Sequence, residues 1–195
     1  MCGINGFNWE DSHLLRKMNE AIAHRGPDDE GIYTDRDVSL GNRRLAIIDL
    51  SPAAHQPMHN EDNTVWITYN GEIYNFKEIR SDLERNGHKF ISNSDTEVIL
   101  HGYEEYKMKI MEKLNGMFAF ALYDSDRKKL ILARDRFGIK PLYYYSQDEK
   151  FVFSSEIRGI LTHNTKRTQN DRMISEYLLY GLIDHKEETF FNDIC

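Results

Sequence analysis

The start of the chain combines a nucleophile with a possible base. The sequence begins Met1-Cys2-Gly3, and because Met1 precedes a small residue we expect its removal, which leaves Cys2 with a free α-amino group. In peptides this amine has a pKa of about 7.7–8.0 and the thiol about 8.5. One residue could therefore supply both nucleophile and general base, as in hydrolases with an N-terminal threonine. A cysteine near a terminus usually has no such role, so the hypothesis depends on the rest of the chain.

Two segments carry groups that could bind a polar amide substrate. Arg44 opens the apolar run RRLAIIDL, and its guanidinium could hold a carboxylate through two parallel hydrogen bonds, although Arg43 could do the same. The amide of Asn70 and the backbone N–H of Gly71 could form an oxyanion hole. The alternative for this Asn-Gly pair is a turn between a strand and a helix, a role that involves no substrate.

Asp95 stands at the start of a predicted helix. Ser94 and Glu97 form a capping-box pattern around it, and an acidic residue in the first turn also suits the helix dipole. Asp95 could in addition bind a substrate ammonium group, and the two interpretations are compatible. The cysteines form no CxxC pair, the eight histidines are scattered, and no phosphate-binding or HExxH motif occurs. We therefore predict no metal site and no cofactor in this chain.

The hydrophobic pattern predicts an α+β fold in which antiparallel strands are grouped late in the chain. The predicted strands are residues 4–7, 38–49, 64–69, 89–91, 117–123, 129–133, 142–146 and 150–153. The predicted helices pass through residues 12–22, 73–86, 94–106, 156–161 and 171–182. In this interpretation Asn70-Gly71 connects a strand to the helix that follows it.

The composition limits the classes of function. The chain has 195 residues, a net charge of −7 and a pI of about 5.6, which argues against nucleic acid as the main partner. Its apolar runs are too short for a membrane helix of about 20 residues, and the N-terminus lacks the pattern of a secretory signal. With only two cysteines, Cys2 and Cys195, a reducing compartment suits the chain. We expect a cytoplasmic protein without a membrane partner.

A series of motifs in the first 161 residues resembles the N-terminal glutaminase domain of glutamine-hydrolysing asparagine synthetases, which are class II glutamine amidotransferases. The motifs are MCGINGF at the start, HRGPDDEG at 24–31, RRLAIIDLS at 43–51, QPM at 56–58, YNGEIYN at 69–75, SDTEVIL at 94–100, LNGMFAFALYD at 114–124, ARDRFGIKPLYY at 133–144 and FSSEI at 153–157. Their number and their order make the resemblance specific.

The resemblance implies an N-terminal-nucleophile hydrolase fold, a four-layer α/β/β/α sandwich with two antiparallel sheets. It implies that Cys2 attacks the side-chain amide of L-glutamine and that Asn70 and Gly71 hold the oxyanion. The other implied roles are the glutamine α-carboxylate for Arg44, the α-ammonium for Asp95 and Glu72, the pocket wall for Ile47 and Ile48, and ordering of the Cys2 end for Arg25.

The resemblance also implies a division of the chain and a missing partner. Residues 1–163 would form the glutaminase domain, and 164–195 would lead to an absent synthetase domain that uses ATP and Mg²⁺ to make asparagine from aspartate. Alternatively, the tail is an arm that folds back on the domain. Two functional alternatives remain: a different acceptor, such as a sugar or polysaccharide precursor, and a non-catalytic glutamine-binding module if Met1 is retained. A homo-oligomer is compatible with the sequence.

Overall fold

A computed structural model describes residues 1–163, 167–183 and 185–195. The strands are β1 (Gly3–Phe7), β2 (Asp29–Asp35), β3 (Val38–Arg44), β4 (Met58–His59), β5 (Val65–Ile73), β6 (Gly116–Asp124), β7 (Lys129–Arg134), β8 (Tyr143–Gln147) and β9 (Lys150–Ser154). The α-helices are α1 (Ser12–Ala21), α2 (Phe76–Arg85), α3 (Asp95–Tyr106), α4 (Ile110–Lys113), α5 (Ile157–Ile160) and α6 (Asp171–Tyr180).

The strands form two antiparallel sheets. The first has the order β2-β3-β1-β9-β8 and the second β4-β5-β6-β7. The N-terminal strand β1 lies in the middle of the first sheet, where Gly3 pairs with Arg43 of β3 and Asn5 pairs with Ser154 of β9. The chain end that carries Cys2 is therefore held by its neighbouring strands.

Three apolar interfaces separate four layers. Between the two sheets, Ile4 and Leu40 pack with Ala119 and Ala121 of β6. On the outer side of the second sheet, alternate residues of the same strand, such as Phe120, face the helices α2 and α3, and on the outer side of the first sheet α1 and α5 cover Phe7 and Val152. The two-residue side-chain period of β6 explains how one strand serves two cores. This architecture confirms the α+β prediction.

Three local predictions were wrong. β5 continues through Asn70 and Gly71 to Ile73, so this pair lies inside a paired strand and not at a strand-to-helix turn. No strand forms at 89–91, because the Glu97 carboxylate binds the backbone N–H groups of Ile91 and Ser92 and holds them in a loop. β3 ends at Arg44, and residues 45–49 are irregular.

The C-terminal segment contacts the first sheet. Ile194 is buried, and Tyr144 and Cys195 exchange two backbone hydrogen bonds of 2.8 and 2.9 Å. Helix α6 buries Met173, whereas Leu178 on the predicted apolar face is 75% exposed. The domain boundary at 163/164 stays a prediction. Within the described ranges, no helix is long and apolar enough to span a membrane.

Candidate active site

One cavity of about 140 Å³ brings together the residues that the sequence analysis singled out. It lies where four parts of the chain meet, which are the N-terminus, the end of β3, the C-terminal half of β5 and the start of α3. Its wall includes Cys2, Arg44, Ile47, Ile48, Asn70, Gly71, Glu72 and Asp95. The sequence separates these residues by up to 93 positions, so the sheet pairing and the docking of α3 create the site.

Cys2 is held at both its side chain and its backbone. Its Sγ lies 3.4 Å from the N atom and 3.5 Å from the O atom of Leu45, just beyond β3. The Arg25 Nε–H donates to the Cys2 carbonyl oxygen at 2.9 Å, and Glu156 accepts from Arg25 Nη1 at 3.0 Å. The thiol is half-buried and lines the cavity, so it can meet a ligand there.

Asn70 offers an unused donor to the cavity. Its side chain is 1% exposed, and its Nδ2 is buried without a hydrogen-bond partner in the described part of the chain. Buried amide groups are almost always satisfied, because an unpaired donor costs about 1–3 kcal/mol. An unpaired donor facing a cavity is therefore the arrangement expected for an oxyanion or carbonyl ligand.

The backbone N–H of Gly71 points to the same open side of β5. At the two ends of β5, Ser125 N–H donates to Thr64 O and Tyr74 N–H donates to Asn115 O. Because the pairing of β5 with β6 is antiparallel, the backbone groups of the even-numbered residues of β5 face β6, and the N–H groups of the odd-numbered residues face the opposite side. On that other side Tyr69 N–H binds Gln56 and Ile73 N–H binds Asp95.

Gly71 lies between these two donors, and only glycine fits there. A Cβ at this position would come within 2.5 Å of Met117 O and 2.8 Å of the Tyr69 ring. The backbone of β5 is therefore packed tightly at the point where its N–H faces the cavity.

Arg44, and not Arg43, faces the cavity. Its side chain is 8% exposed and donates to the carbonyl oxygens of Asp49 and Ser51, which fixes the guanidinium against the loop after β3. A guanidinium has five N–H donors, so donors remain for a ligand carboxylate. Arg43 instead binds Glu30 at 2.7 Å and the Gly26 carbonyl oxygen.

Asp95 supplies a buried carboxylate at the opposite wall. Its Oδ2 accepts from Tyr69 Oη at 2.6 Å and from Ile73 N–H at 2.9 Å. Burial raises the pKa of Asp95 despite these bonds, and burial together with Asp95 raises the pKa of Tyr69, which stays protonated and donates. Burial destabilises the charged form of a carboxylate, and a cationic partner such as an ammonium group stabilises that form.

The capping pattern around Asp95 differs from the predicted capping box. Ser94 Oγ accepts from Thr96 N at 3.1 Å, so it does cap α3. Glu97 does not return to the Ser94 N–H, because its two oxygens bind the N–H groups of Ile91 and Ser92. Ser92 Oγ takes the Ser94 N–H instead, at 3.1 Å.

The remaining predicted residues form the cavity mouth. Ile47 is 71% exposed and Ile48 is 37% exposed on the loop after β3, and Glu72 is exposed on β5. Their partial exposure fits an entrance where a ligand would cover apolar surface.

Gln56 and Lys140 are two of the polar cavity residues that the sequence did not identify as candidates. Gln56 Oε1 accepts from Tyr69 N–H at 2.7 Å, and its Nε2 donates to Thr96 Oγ1 at 3.3 Å, so it joins β5 to α3. Lys140 is only 7% exposed, with its Nζ 3.7 Å from Met1 Sδ. Both belong to motifs quoted above, QPM and GIKPL, which is the signal that could have identified them.

Asp135 fixes the loop that carries Lys140. Its carboxylate accepts backbone N–H groups at 3.0–3.2 Å from Phe118, Phe137, Ile139 and Lys140. Burial favours the neutral acid, but these N–H donors outweigh it, so the pKa of Asp135 is lowered.

Taken together, the cavity offers a thiol, two N–H donors beside it, a guanidinium and a buried carboxylate. The guanidinium and the carboxylate could bind the two charged ends of an α-amino acid. The thiol and the N–H donors could act on a carbonyl group carried by its side chain.

Comparisons with known proteins show the family to which the chain belongs. The family model described as a glutamine amidotransferase domain matches residues 1–195. The chain is 40% identical over 191 residues to asparagine synthetase [glutamine-hydrolyzing] 1 of Bacillus subtilis, which covers 94% of this chain and 30% of that protein. It is 39% identical to putative asparagine synthetase [glutamine-hydrolyzing] 2 of Methanocaldococcus jannaschii, covering 94% of this chain and 40% of that one. The chain thus spans less than half the length of these relatives.

Solved structures confirm the fold. The glutamine phosphoribosylpyrophosphate amidotransferase of B. subtilis superposes with a TM-score of 0.71 at 21% identity, over 83% of this chain and 43% of that one. This likeness confirms the predicted four-layer fold with two antiparallel sheets. On the family match and the identity to these relatives, the chain belongs to the glutamine amidotransferase domain family.

Proposed function

We propose that this chain hydrolyses L-glutamine to glutamate and ammonia through a γ-glutamyl thioester on Cys2. The observation that carries this proposal is the Asn70 Nδ2, which has no hydrogen-bond partner among the described residues and shares a cavity with the Cys2 thiol. The Gly71 N–H lies next to it on β5. A carboxamide is the substrate class that this combination serves, because its carbonyl carbon accepts the sulfur while its oxygen takes the N–H groups.

The reaction begins after removal of Met1. The free α-amine of Cys2 takes the thiol proton, and the sulfur attacks the side-chain amide carbon of glutamine. Asn70 and Gly71 bind the resulting oxyanion. The amine returns the proton to the departing nitrogen, which leaves as ammonia, and water then hydrolyses the thioester to glutamate and regenerates the thiol.

Charged groups at the two ends of the cavity select the substrate. Arg44 binds the α-carboxylate of glutamine, and Asp95 with Glu72 binds its α-ammonium, while Ile47 and Ile48 cover the methylene groups. Because both charged ends of the amino acid are bound, we expect the shorter side chain of asparagine to make it a poor substrate, and we expect the product glutamate to compete for the same contacts.

The partner of this activity is a synthetase domain of the same polypeptide. The relatives are named as glutamine-hydrolysing asparagine synthetases, and the match covers only 30% and 40% of their lengths. This supports ATP-dependent synthesis of asparagine from aspartate as the use of the ammonia. ATP and Mg²⁺ would bind in that domain and not in this chain. A cytoplasmic location supports the reduced state that the Cys2 thiol needs.

Three measurements test the proposal. Mass spectrometry of the purified chain should show the loss of Met1, and a glutamine-analogue electrophile should label Cys2 once per chain. Wild type should release ammonia from glutamine, whereas Cys2→Ala should not. Retained Met1 together with glutamine binding but no labelling would establish the non-catalytic binding module, and turnover by Cys2→Ala would exclude the thioester.

A further inference from the structure

A second cluster of polar groups lies away from the glutamine cavity, between α2 and α3. His101 and Glu104 lie one turn apart on the same face of α3, and His88 follows the end of α2. Glu104 Oε2 is 2.7 Å from His101 Nδ1 and 3.8 Å from His88 Nδ1. One ligand-type atom from each of the three residues lies within 4.8 Å of the others.

Each of the three groups also has an outer partner near its second polar atom, within hydrogen-bond distance for His88 and Glu104. His101 Nε2 faces Glu97 Oε1 at 3.6 Å, and His88 Nε2 faces Glu105 Oε2 at 3.2 Å. Glu104 Oε1 accepts from Asn60 Nδ2 at 2.7 Å. Histidines that bind metals have their other ring nitrogen bound to a carboxylate, carbonyl or water, which fixes the ring and its tautomer. His88 has that arrangement through Glu105, and at His101 the Glu97 carboxylate lies just outside hydrogen-bond distance.

Burial and charge also fit a cation. The His101 side chain is only 3% exposed, whereas those of His88 and Glu104 are 18% and 23% exposed. An ion bound here would therefore be largely buried but could still enter from solvent. A surface cavity of about 290 Å³, lined in part by His88 and Glu61, opens beside the cluster. Glu61 Oε1 lies 4.0 Å from His101 Nε2, so four carboxylates surround two imidazoles.

We propose that His88, His101 and Glu104 form a binding site for a zinc-type divalent transition-metal ion. Two imidazole nitrogens and one carboxylate oxygen are a donor set that suits zinc, at bond lengths of about 2.0–2.2 Å. The fourth position is left for water. Bound metal ties the loop after α2 to α3, the helix whose first residue is Asp95 of the glutamine cavity. The sequence predicted no metal site, because the ligands lie on two elements that only the fold brings together.

The test is zinc binding by the full chain in a Cys2→Ala background, without an affinity tag, measured by competition with a chromophoric zinc indicator. The background is needed because a terminal cysteine can bind zinc through its thiolate and amine. We expect one Zn²⁺ per chain in the parent. His88→Ala and Glu104→Gln should weaken binding at least about 100-fold, and Glu105→Gln about 10-fold, as outer partners of metal-bound histidines do.

His13→Ala is the matched control, because it removes an exposed histidine of α1, which packs on the first sheet, whereas α3 packs on the second. It should bind zinc as the parent does. Zinc should also raise the melting temperature of the parent and of His13→Ala but not that of His88→Ala, since a ligand that binds only the folded state stabilises it. Zinc binding that is absent from the parent, or equal in the parent and His88→Ala, would overturn the proposal and leave the cluster as an ion-pair network. Neither outcome depends on glutaminase activity.

Discussion

The substitution Asn70→Ala separates catalysis from stability in this protein. In most buried sites the loss of an amide breaks hydrogen bonds of the folded state, so activity and stability fall together. The Asn70 Nδ2 makes no such bond within the described residues. Its removal should therefore cost little folding free energy, while the transition state loses one donor to the oxyanion.

The expected magnitude follows from that geometry. Loss of one oxyanion donor typically lowers kcat by about 10²–10³, or about 2.7–4 kcal/mol. Ground-state binding should change less, because Arg44 and Asp95 hold the charged ends of glutamine. We expect the KM of Asn70→Ala to stay within about threefold of wild type. An interaction that forms only in the transition state lowers kcat when it is removed and leaves the binding of the substrate unchanged.

Asn42→Ala is the matched control, because Asn42 is equally buried but its Nδ2 is shared among Gln56, Thr68 and the Tyr69 carbonyl oxygen at 3.0–3.4 Å. This variant should lose about 1–3 kcal/mol of unfolding free energy, the cost of leaving buried partners unpaired. Steady-state glutamine hydrolysis and urea unfolding would be measured on both variants. A kcat for Asn70→Ala within threefold of wild type, or a loss of stability as large as that of Asn42→Ala, would refute the assignment of the donor.

The other predictions concern binding, packing and pH. Arg44→Lys should raise the KM for glutamine about 10–100-fold with a smaller change in kcat, because a lysine cannot form the two parallel bonds, whereas Arg43→Lys should not; normal KM for Arg44→Lys would contradict the assignment. Gly71→Ala should lower both activity and melting temperature, since its Cβ would lie 2.5 Å from Met117 O, and a wild-type melting temperature would show that β5 can shift. The pKa of Asp135 is lower in the folded protein than in the unfolded chain, where it is about 3.9. The ionised carboxylate therefore stabilises the fold above that value, and this contribution is lost as pH falls through the pKa of the folded state. Asp135→Asn should therefore be less stable than wild type in urea at pH 6, and the difference should shrink below about pH 4; a difference independent of pH would contradict this.

The local patterns of the sequence determined most of the elements and their type. The short apolar run at residues 117–123 predicted β6, because a strand buried on both faces reads as a continuous apolar run. The cap at Ser94 predicted the start of α3 within one residue, since capping depends on neighbouring atoms. Cys2, Asn70 and Asp95 could be proposed as candidates from their residue types alone, because a thiol, an amide and a carboxylate have chemistry of their own.

Tertiary structure decided which of these residues share a site and in which orientation. The residue types alone left the choice between Arg44 and Arg43 open, and only the resemblance favoured Arg44. Neighbours in a strand differ in which face they occupy, and that depends on pairing with β1 and β2. Local propensity favours a turn at Asn70-Gly71, because it carries no information on the nine-residue pairing of β5 with β6 that keeps the pair inside a strand. His88 and Glu104 come together for the same reason: contacts between elements distant in the chain depend on packing, which local sequence patterns do not encode.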